Sequence, residues 1–438
     1  MNRREAALVL GAPSLSALSA CQHPTRMTNP AAEFAHVPWS HDTSIYEVNV
    51  RQYTPEGTLA AFERELPRLA QMGVGIVWLM PVQPIGVKER KCALGSYYAI
   101  RDYTAVNPEF GTLDDFRRVV DKAHALGMKL ILDWVANHTA WDHAWATSHP
   151  AYYKKNAQGQ IFPVTFTNGP EPEYWTDVIG LDYTHRPLWD AMLGEMAFWL
   201  KETGIDGFRC DVAGLVPTPF WEFAREALDR IKPVFMLAEW SEPELHRKAF
   251  DMTYDWALYD VLKKVAQGQG DARDLQACVE TPKQRFPRDA YRMTFTGNHD
   301  SNSWHGCDAE LYGSRDAFQA MAVLTATLPG MPLIYGGQEA FFEKRLKFFE
   351  KDSIDWKDRG LAGFYGELLA LKKRHRALWN GQFGADAKVV DTGNPAVFRF
   401  TRGEGAGRVT VSVNLTGRSQ ALPSIGGAAL MPWGWRIG

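Results

Sequence analysis

Eight short apolar or β-branched runs alternate along this chain with longer stretches of helical periodicity, and that rhythm leaves few architectures open. The runs expected as strands are Ile45–Val50, Ile76–Met80, Lys129–Trp134, Gly207–Asp211, Val234–Glu239, Met252–Asp255, Met293–Thr296 and Pro332–Tyr335. Between them Leu59–Gln71, Asp114–Leu126 and Leu188–Lys201 carry apolar residues every three or four positions, as amphipathic helices do. Parallel strands need a crossover between each pair, so strand–helix alternation predicts a parallel sheet, and eight strands are enough to close it. A doubly wound open sheet would want a Gly-rich phosphate turn after the first strand. Arg51-Gln52-Tyr53-Thr54-Pro55 is nothing like one. The expected class is therefore α/β, a (β/α)8 barrel.

Two interruptions set the domain plan. From Thr139 to Tyr183 the chain carries Pro, Gly, Asn and aromatics without clear periodicity, too long for a plain βα loop, so 139–183 is expected to be a small inserted domain after strand three. Beyond Asn380 the pattern becomes Ala396–Thr401 and Val409–Asn414 with Gly-rich turns, which predicts a short antiparallel β-domain over 381–438. The barrel itself is expected over 41–138 and 184–380, behind a linker at 22–40. Residues 1–21 read as an address: Arg3-Arg4, a short apolar run and Leu18-Ser19-Ala20-Cys21 resemble a lipoprotein signal with Cys21 as the lipidated residue, and loosely a twin-arginine signal. That predicts export to the cell envelope or periplasm, with the membrane touched through the lipid alone. Cys92, Cys210, Cys278 and Cys307 fit no zinc spacing and are expected mostly as small buried hydrophobes, with one bridge open to an exported protein. A net charge of -3 offers no footprint for nucleic acid.

In such a barrel the reactive groups gather at the carboxyl ends of the strands. Here Asp133 ends the third strand with Asn137 and His138 just beyond, Arg209 and Asp211 end the fourth, Glu239 ends the fifth, and His299 and Asp300 follow the seventh. Cleavage of a glycosidic bond with retention needs one carboxylate to attack the anomeric carbon and a second carboxyl, about 5 Å away, to protonate the leaving oxygen. Arg209 and Asp211 lie two apart and so face the same way on a strand. The guanidinium is expected to hold Asp211 ionised, while the negative field of Asp211 and Asp300 keeps a proton on Glu239.

The ordered set Asp133-Trp134-Val135-Ala136-Asn137-His138, Gly207-Phe208-Arg209-Cys210-Asp211, Ala238-Glu239 and Thr296-Gly297-Asn298-His299-Asp300 resembles the four short motifs of the α-amylase family of glycoside hydrolases. Asp102-Tyr103, Phe110-Gly111-Thr112, Leu181-Asp182-Tyr183 and Ile334-Tyr335-Gly336-Gly337-Gln338-Glu339 extend the likeness over roughly residues 40 to 415. The resemblance implies Asp211 as nucleophile, Glu239 as acid/base and Asp300 as third carboxylate. It also implies Arg209, His138, His299 and Tyr98 around the bound sugar, and Asp133 and Asn137 as structural supports. The implied substrate is an α-glucan, hydrolysed at α-1,4 bonds without a cofactor.

Val212-Ala213-Gly214 stands where many α-amylases have a Lys-His pair, and is more like the cyclodextrinase, neopullulanase and maltogenic-amylase branch. The stretch between Cys21 and the first strand is too short for the extra N-terminal β-domain common there, so the branch stays open. Calcium wants six to eight oxygen ligands, and Asn137 alone is no such set. Trp134, Trp141, Trp145 and Trp240 are candidates for sugar platforms or for packing, and Trp240 beside Glu239 is expected to favour short maltodextrins. Glucan transfer remains an alternative to hydrolysis, and a non-catalytic glucan-binding lipoprotein is an alternative of another class.

Overall fold

Eight parallel strands close on themselves in chain order in the computed structural model, which describes residues 31–167, 171–341, 343–356, 360–421 and 429–438. Cys21 and the leader before it lie outside the described residues. The barrel strands are β1 (Ile45–Val48), β2 (Ile76–Leu79), β3 (Lys129–Trp134), β7 (Gly207–Cys210), β8 (Phe235–Ala238), β9 (Met252–Tyr254), β10 (Tyr291–Phe295) and β11 (Met331–Tyr335). The ring shuts where Ile45 registers with Leu333. The three strands between β3 and β7 belong to the excursion: β4 (His138–Ala140), β5 (Pro163–Phe166) and β6 (Glu173–Gly180).

Alternation sorts each strand's side chains to two sides. Ile45, Ile76, Trp78, Ile131, Leu237, Met252, Met293 and Leu333 fill one apolar cluster, and Tyr46, Val77, Leu79, Leu130, Leu132, Phe208 and Met236 join the larger cluster that holds the helices. Burying a side chain of this size contributes ~1.5–3 kcal/mol, so a one-residue slip in any strand would be costly. Gly207 is fixed by close approach. Its φ is +152°, and a Cβ there would lie 1.9 Å from the Phe235 carbonyl oxygen of the neighbouring strand.

Several elements depart from the sequence expectation. Leu59–Gln71 is two helices, Leu59–Glu63 and Leu66–Met72, because Pro67 has no N–H to give and its ring cannot follow a helical turn. Residues 139–183 are not irregular: β4, β6 and β5 form an antiparallel sheet in that order. Val50 opens a helical turn instead of ending β1. All four later cysteines are free; Cys210 and Cys307 are buried as expected, whereas Cys92 is exposed and Cys278 half-buried.

At the carboxyl end of the chain, β12 (Ala387–Val389), β13 (Val397–Arg402), β14 (Val409–Asn414) and β15 (Trp435–Ile437) form a four-stranded antiparallel sheet. Arg402 fastens it to the barrel. Its guanidinium donates to the Thr327 and Leu328 carbonyls at 3.0 Å each, to Ala385 at 2.8 Å and to Trp379 at 3.1 Å. Thr327 and Leu328 end a helix whose last carbonyls lack intrahelical partners, and a buried cation suits them. Arg402→Met strands these acceptors and should cost about 3 kcal/mol or more in urea unfolding, with Arg402→Lys recovering part of it. A loss below about 1 kcal/mol for the Met variant would show that the sheet is held by its apolar face instead.

Candidate active site

Strand alternation turns Glu47, Trp78, Asp133, Arg209 and Tyr254 toward the centre near the carboxyl ends of β1, β2, β3, β7 and β9, and Arg209 is their hub. One guanidinium nitrogen, Nη1, lies 2.9 Å from Asp133 Oδ1 and 3.1 Å from Asp211 Oδ1. The other, Nη2, is 2.9 Å from Glu239 Oε1, an ion-pair distance without hydrogen-bond alignment. Nε donates to the Tyr254 hydroxyl at 3.2 Å, and the indole of Trp78 lies under the cation at 5.0 Å. The side chain of Arg209 is wholly buried, while those of Glu239, Asp211 and Asp300 are 6%, 10% and 22% exposed, so the three carboxyls face the opening.

The backbone after β7 aims the pair. The Asp211 N–H is bonded to the Trp134 carbonyl at 2.9 Å. Val212 then takes a left-handed conformation, φ 36°, which is rare for a β-branched residue and persists where surroundings over-determine it. In that conformation its N–H donates to Glu239 Oε2 at 2.8 Å. Glu239 is thereby held from both oxygens. The site thus brings a strained residue and two carboxyls into one hydrogen-bonded unit.

On the other flank Tyr98 donates to Asp133 Oδ2 at 3.1 Å and meets His299 Nε2 at 2.9 Å. His299 Nδ1 is 2.5 Å from Glu47 Oε1, and its Nε2 lies 3.3 Å from Asp300 Oδ2. Burial opposes charge on this imidazole, but Asp300 and Glu47 outweigh it and hold the pKa at about 9. His138 is different. Burial alone dominates there and lowers it to about 4, so it is neutral, bonded to Asn137 through Nδ1 at 3.1 Å.

Arg209 was expected to hold Asp211 ionised. The structure reverses the balance: burial first, then the Glu239 carboxylate, lift the Asp211 pKa well above the usual range, against the pull of Arg209. Asp133 rises to about 6, again through burial. The physical reason is that one cation is divided among three carboxyls.

An open cleft lies over these groups. Tyr98, His138, Asp211, Glu239, His299 and Asp300 all line it, so six of the expected site residues share one cavity. Its aromatic walls are Trp175, Trp304, Phe348 and Phe349. None of the four tryptophans singled out from the sequence is among them: Trp134 and Trp145 are core, Trp141 donates to the Thr176 carbonyl, and Trp240 covers Gly214, where a Cβ would meet its ring at 2.0 Å. Sequence reasoning also missed Glu47, whose signal was a lone acid inside a buried strand, and Lys91 and Asp177, which had none. Among the described residues no three His, Cys, Asp or Glu side chains gather to hold a metal ion, and the Asn137 amide nitrogen is bonded to His138.

Because His299 carries a raised pKa, its contribution to stability is complete below the unfolded value near 6.5 and is lost as pH rises through about 9. Glu47→Gln removes one of the two anions that sustain it. In NMR titration the His299 midpoint should then fall from about 9 toward the ordinary value. An unmoved midpoint would assign the shift to Asp300 alone.

Residues 34–359 match the family model described as "Alpha amylase, catalytic domain". Alpha-amylase MalA of Haloarcula japonica is 31% identical over 368 residues, 80% of this chain and 51% of the relative. An alpha-1,4-glucan:maltose-1-phosphate maltosyltransferase of Rhodospirillum rubrum is 30% identical over 346 residues, 72% of this chain and 48% of that protein. The chain thus spans about half the length of these two curated relatives. An alpha-amylase from Lactobacillus plantarum of known crystal structure superposes with a TM-score of 0.79 at 30% identity, covering 90% of this chain and 98% of that one. With the match running from before β1 past β11, this chain belongs to the alpha-amylase catalytic domain family.

Proposed function

We propose that the chain is a retaining α-glycosidase that hydrolyses α-1,4-glucosidic bonds in maltodextrins and related α-glucans. The observation that carries this reading is the pair Asp211 and Glu239, both against Arg209 and both lining one aromatic cleft. In the first step the Asp211 carboxylate attacks the anomeric carbon while Glu239 gives its proton to the departing glycosidic oxygen, leaving a covalent glycosyl-aspartate. In the second, Glu239 takes a proton from water, the water oxygen attacks the same carbon and Asp211 leaves as carboxylate. Two inversions give net retention.

The neighbours fit this division of labour. Asp300 and the cationic His299 are placed to grip sugar hydroxyls as the ring flattens, and the neutral His138 can donate or accept a single hydrogen bond. Tyr98 offers a ring face to the sugar while its hydroxyl is tied to Asp133. Asp133 and Asn137 support the site from beneath it. Glucan transfer is the second reading, supported by the likeness to the maltosyltransferase: the same glycosyl-enzyme can be intercepted by a sugar hydroxyl. We further propose that the protein is exported and anchored by lipid on Cys21; Cys21→Ala should release it from the membrane fraction, and an unchanged distribution would remove the anchor.

On maltotriose through maltoheptaose, Asp211→Asn and Glu239→Gln should each lower turnover on the order of 10³-fold or more. Proton NMR of fresh product should show the α-anomer first. A β-anomer would overturn retention, and products longer than the substrate at high maltotriose would favour transfer.

A further inference from the structure

Apart from the acid and histidine groups around Arg209, the cleft wall carries one further pair of opposite charges among the described residues: Lys91 Nζ lies 2.9 Å from Asp177 Oδ1. Lys91 comes from the loop after β2 and Asp177 from β6 of the excursion, so the contact joins two separate segments of the cleft wall. Asp177 is 5% exposed, which makes it a buried carboxylate rather than a surface ornament. A buried acid left without its cation is far more costly than a lost surface pair.

The loop that delivers Lys91 is built to be stiff. Arg90 folds back on it, donating to the Gly86 and Ile85 carbonyls, and the buried Arg51 holds its far end through the Gly95 and Leu94 carbonyls. At its start the Val87 N–H is bound to the Asp142 carboxylate. Glu89 and Cys92, on either side of Lys91, have left-handed backbones, φ 58° and 55°, a conformation unfavourable for residues other than glycine. A slack surface loop has no use for that arrangement; a loop that must aim one side chain does.

Position in the barrel tells which side of the cleft is barred. Lys91, Asp177 and Tyr98 arise after β2 and β3, and the aromatic wall of Trp304 and Phe348 arises after β10 and β11. These segments meet, since Cys92 lines a second hollow together with Trp304, Phe348 and Phe349. Phe348 lies nearly parallel to Tyr98, ring centres 6.3 Å apart. Glu239 arises after β8, four strands round the ring from β1, which lies between these two arms, whereas Val212 follows β7, the neighbour of β3. The acid stands on the side of the departing group, so the barred arc is the side of the sugar that is retained.

We infer that the Lys91–Asp177 pair is an end-stop: it caps the cleft behind the sugar held over Asp211, so that the substrates are the free ends of short linear α-glucans, read through their terminal hydroxyls. The ammonium can donate to such hydroxyls and the carboxylate can accept from them. This rests on the glycosidase reading above. A cyclic glucan has no end and must leave the cleft on both sides, so the stop should exclude it.

The test is the ratio of kcat/KM for β-cyclodextrin to that for maltotriose, with product sizes from maltoheptaose, in the full chain and in Lys91→Met and Asp177→Asn. The wild type should give a low ratio and one short product. Both variants should raise the ratio on the order of 10-fold and broaden the products. Lys91→Met leaves the buried Asp177 without its cation whereas Asp177→Asn leaves no buried charge, so whichever variant folds decides the point. A wild type that takes cyclodextrin as readily as maltotriose, or an unchanged ratio in folded Lys91→Met, would overturn the end-stop while leaving the glycosidase reading intact. A wild type inactive on every α-glucan would overturn that reading first, and the end-stop with it.

Discussion

A guanidinium with no exposed surface, set among three carboxyls, is what the rest of this site depends on. Arg209 reaches Asp133, Asp211 and Glu239 from one strand, and its stem and face are packed by Trp78 and Tyr254. Desolvating such a charge is tolerable only because its partners are already in place. Removing any one partner would leave the others overcharged or the cation underpaired. The barrel therefore closes around a charge arrangement, and apolar packing below it supplies the free energy to hold that arrangement dry.

Backbone geometry converts the arrangement into a directed one. Gly207 lets β7 press against β8 at a distance no side chain would permit, and the resulting register, Arg209 beside Leu237 and Cys210 beside Ala238, brings Asp211 level with Glu239. The chain then turns left-handed at Val212 and spends its amide on Glu239. On the other arc, Glu339 is bound by the Tyr46 hydroxyl at 2.5 Å and by Arg68 at 2.8 Å, joining the segments around β1 to the loop after β11 where the ring shuts. Closure and site are thus stabilised by the same kind of bond, a buried acid satisfied by donors from another strand unit.

How much of this was legible depended on whether a residue's role was written in periodicity. The barrel was, because each strand is a short apolar run and each helix repeats at 3.6; five cleft-lining site residues were, because they follow strand ends where the pattern turns polar, whereas Tyr98, far from any barrel strand end, came from the family resemblance. Pro67 hid in a helical window, although its missing N–H was enough to split it. The sheet of the excursion was obscured because β4 is only three residues long and β5 pairs with a register shift. The cleft's aromatic walls were illegible for a different reason: Trp175, Trp304, Phe348 and Phe349 come from segments far apart in sequence, and the side each ring faces is set by loop geometry. The reversal at Asp211 belongs here too, since a sequence shows that Arg209 is near but not that it is shared.

Charge balance then connects the two arcs. Glu47, Asp133, Asp211, Glu239 and Asp300 face one guanidinium and one imidazolium, an excess of acid groups over cations in so dry a place. The burial-raised pKa values of Glu47, Asp133 and Asp211 express that excess. A cluster of this kind retains a proton that separate carboxylates would have lost, and the proton belongs to the cluster before it belongs to any member. In the proposed mechanism, positive charge developing on a sugar ring above Asp211 would favour the ionised form of that acid.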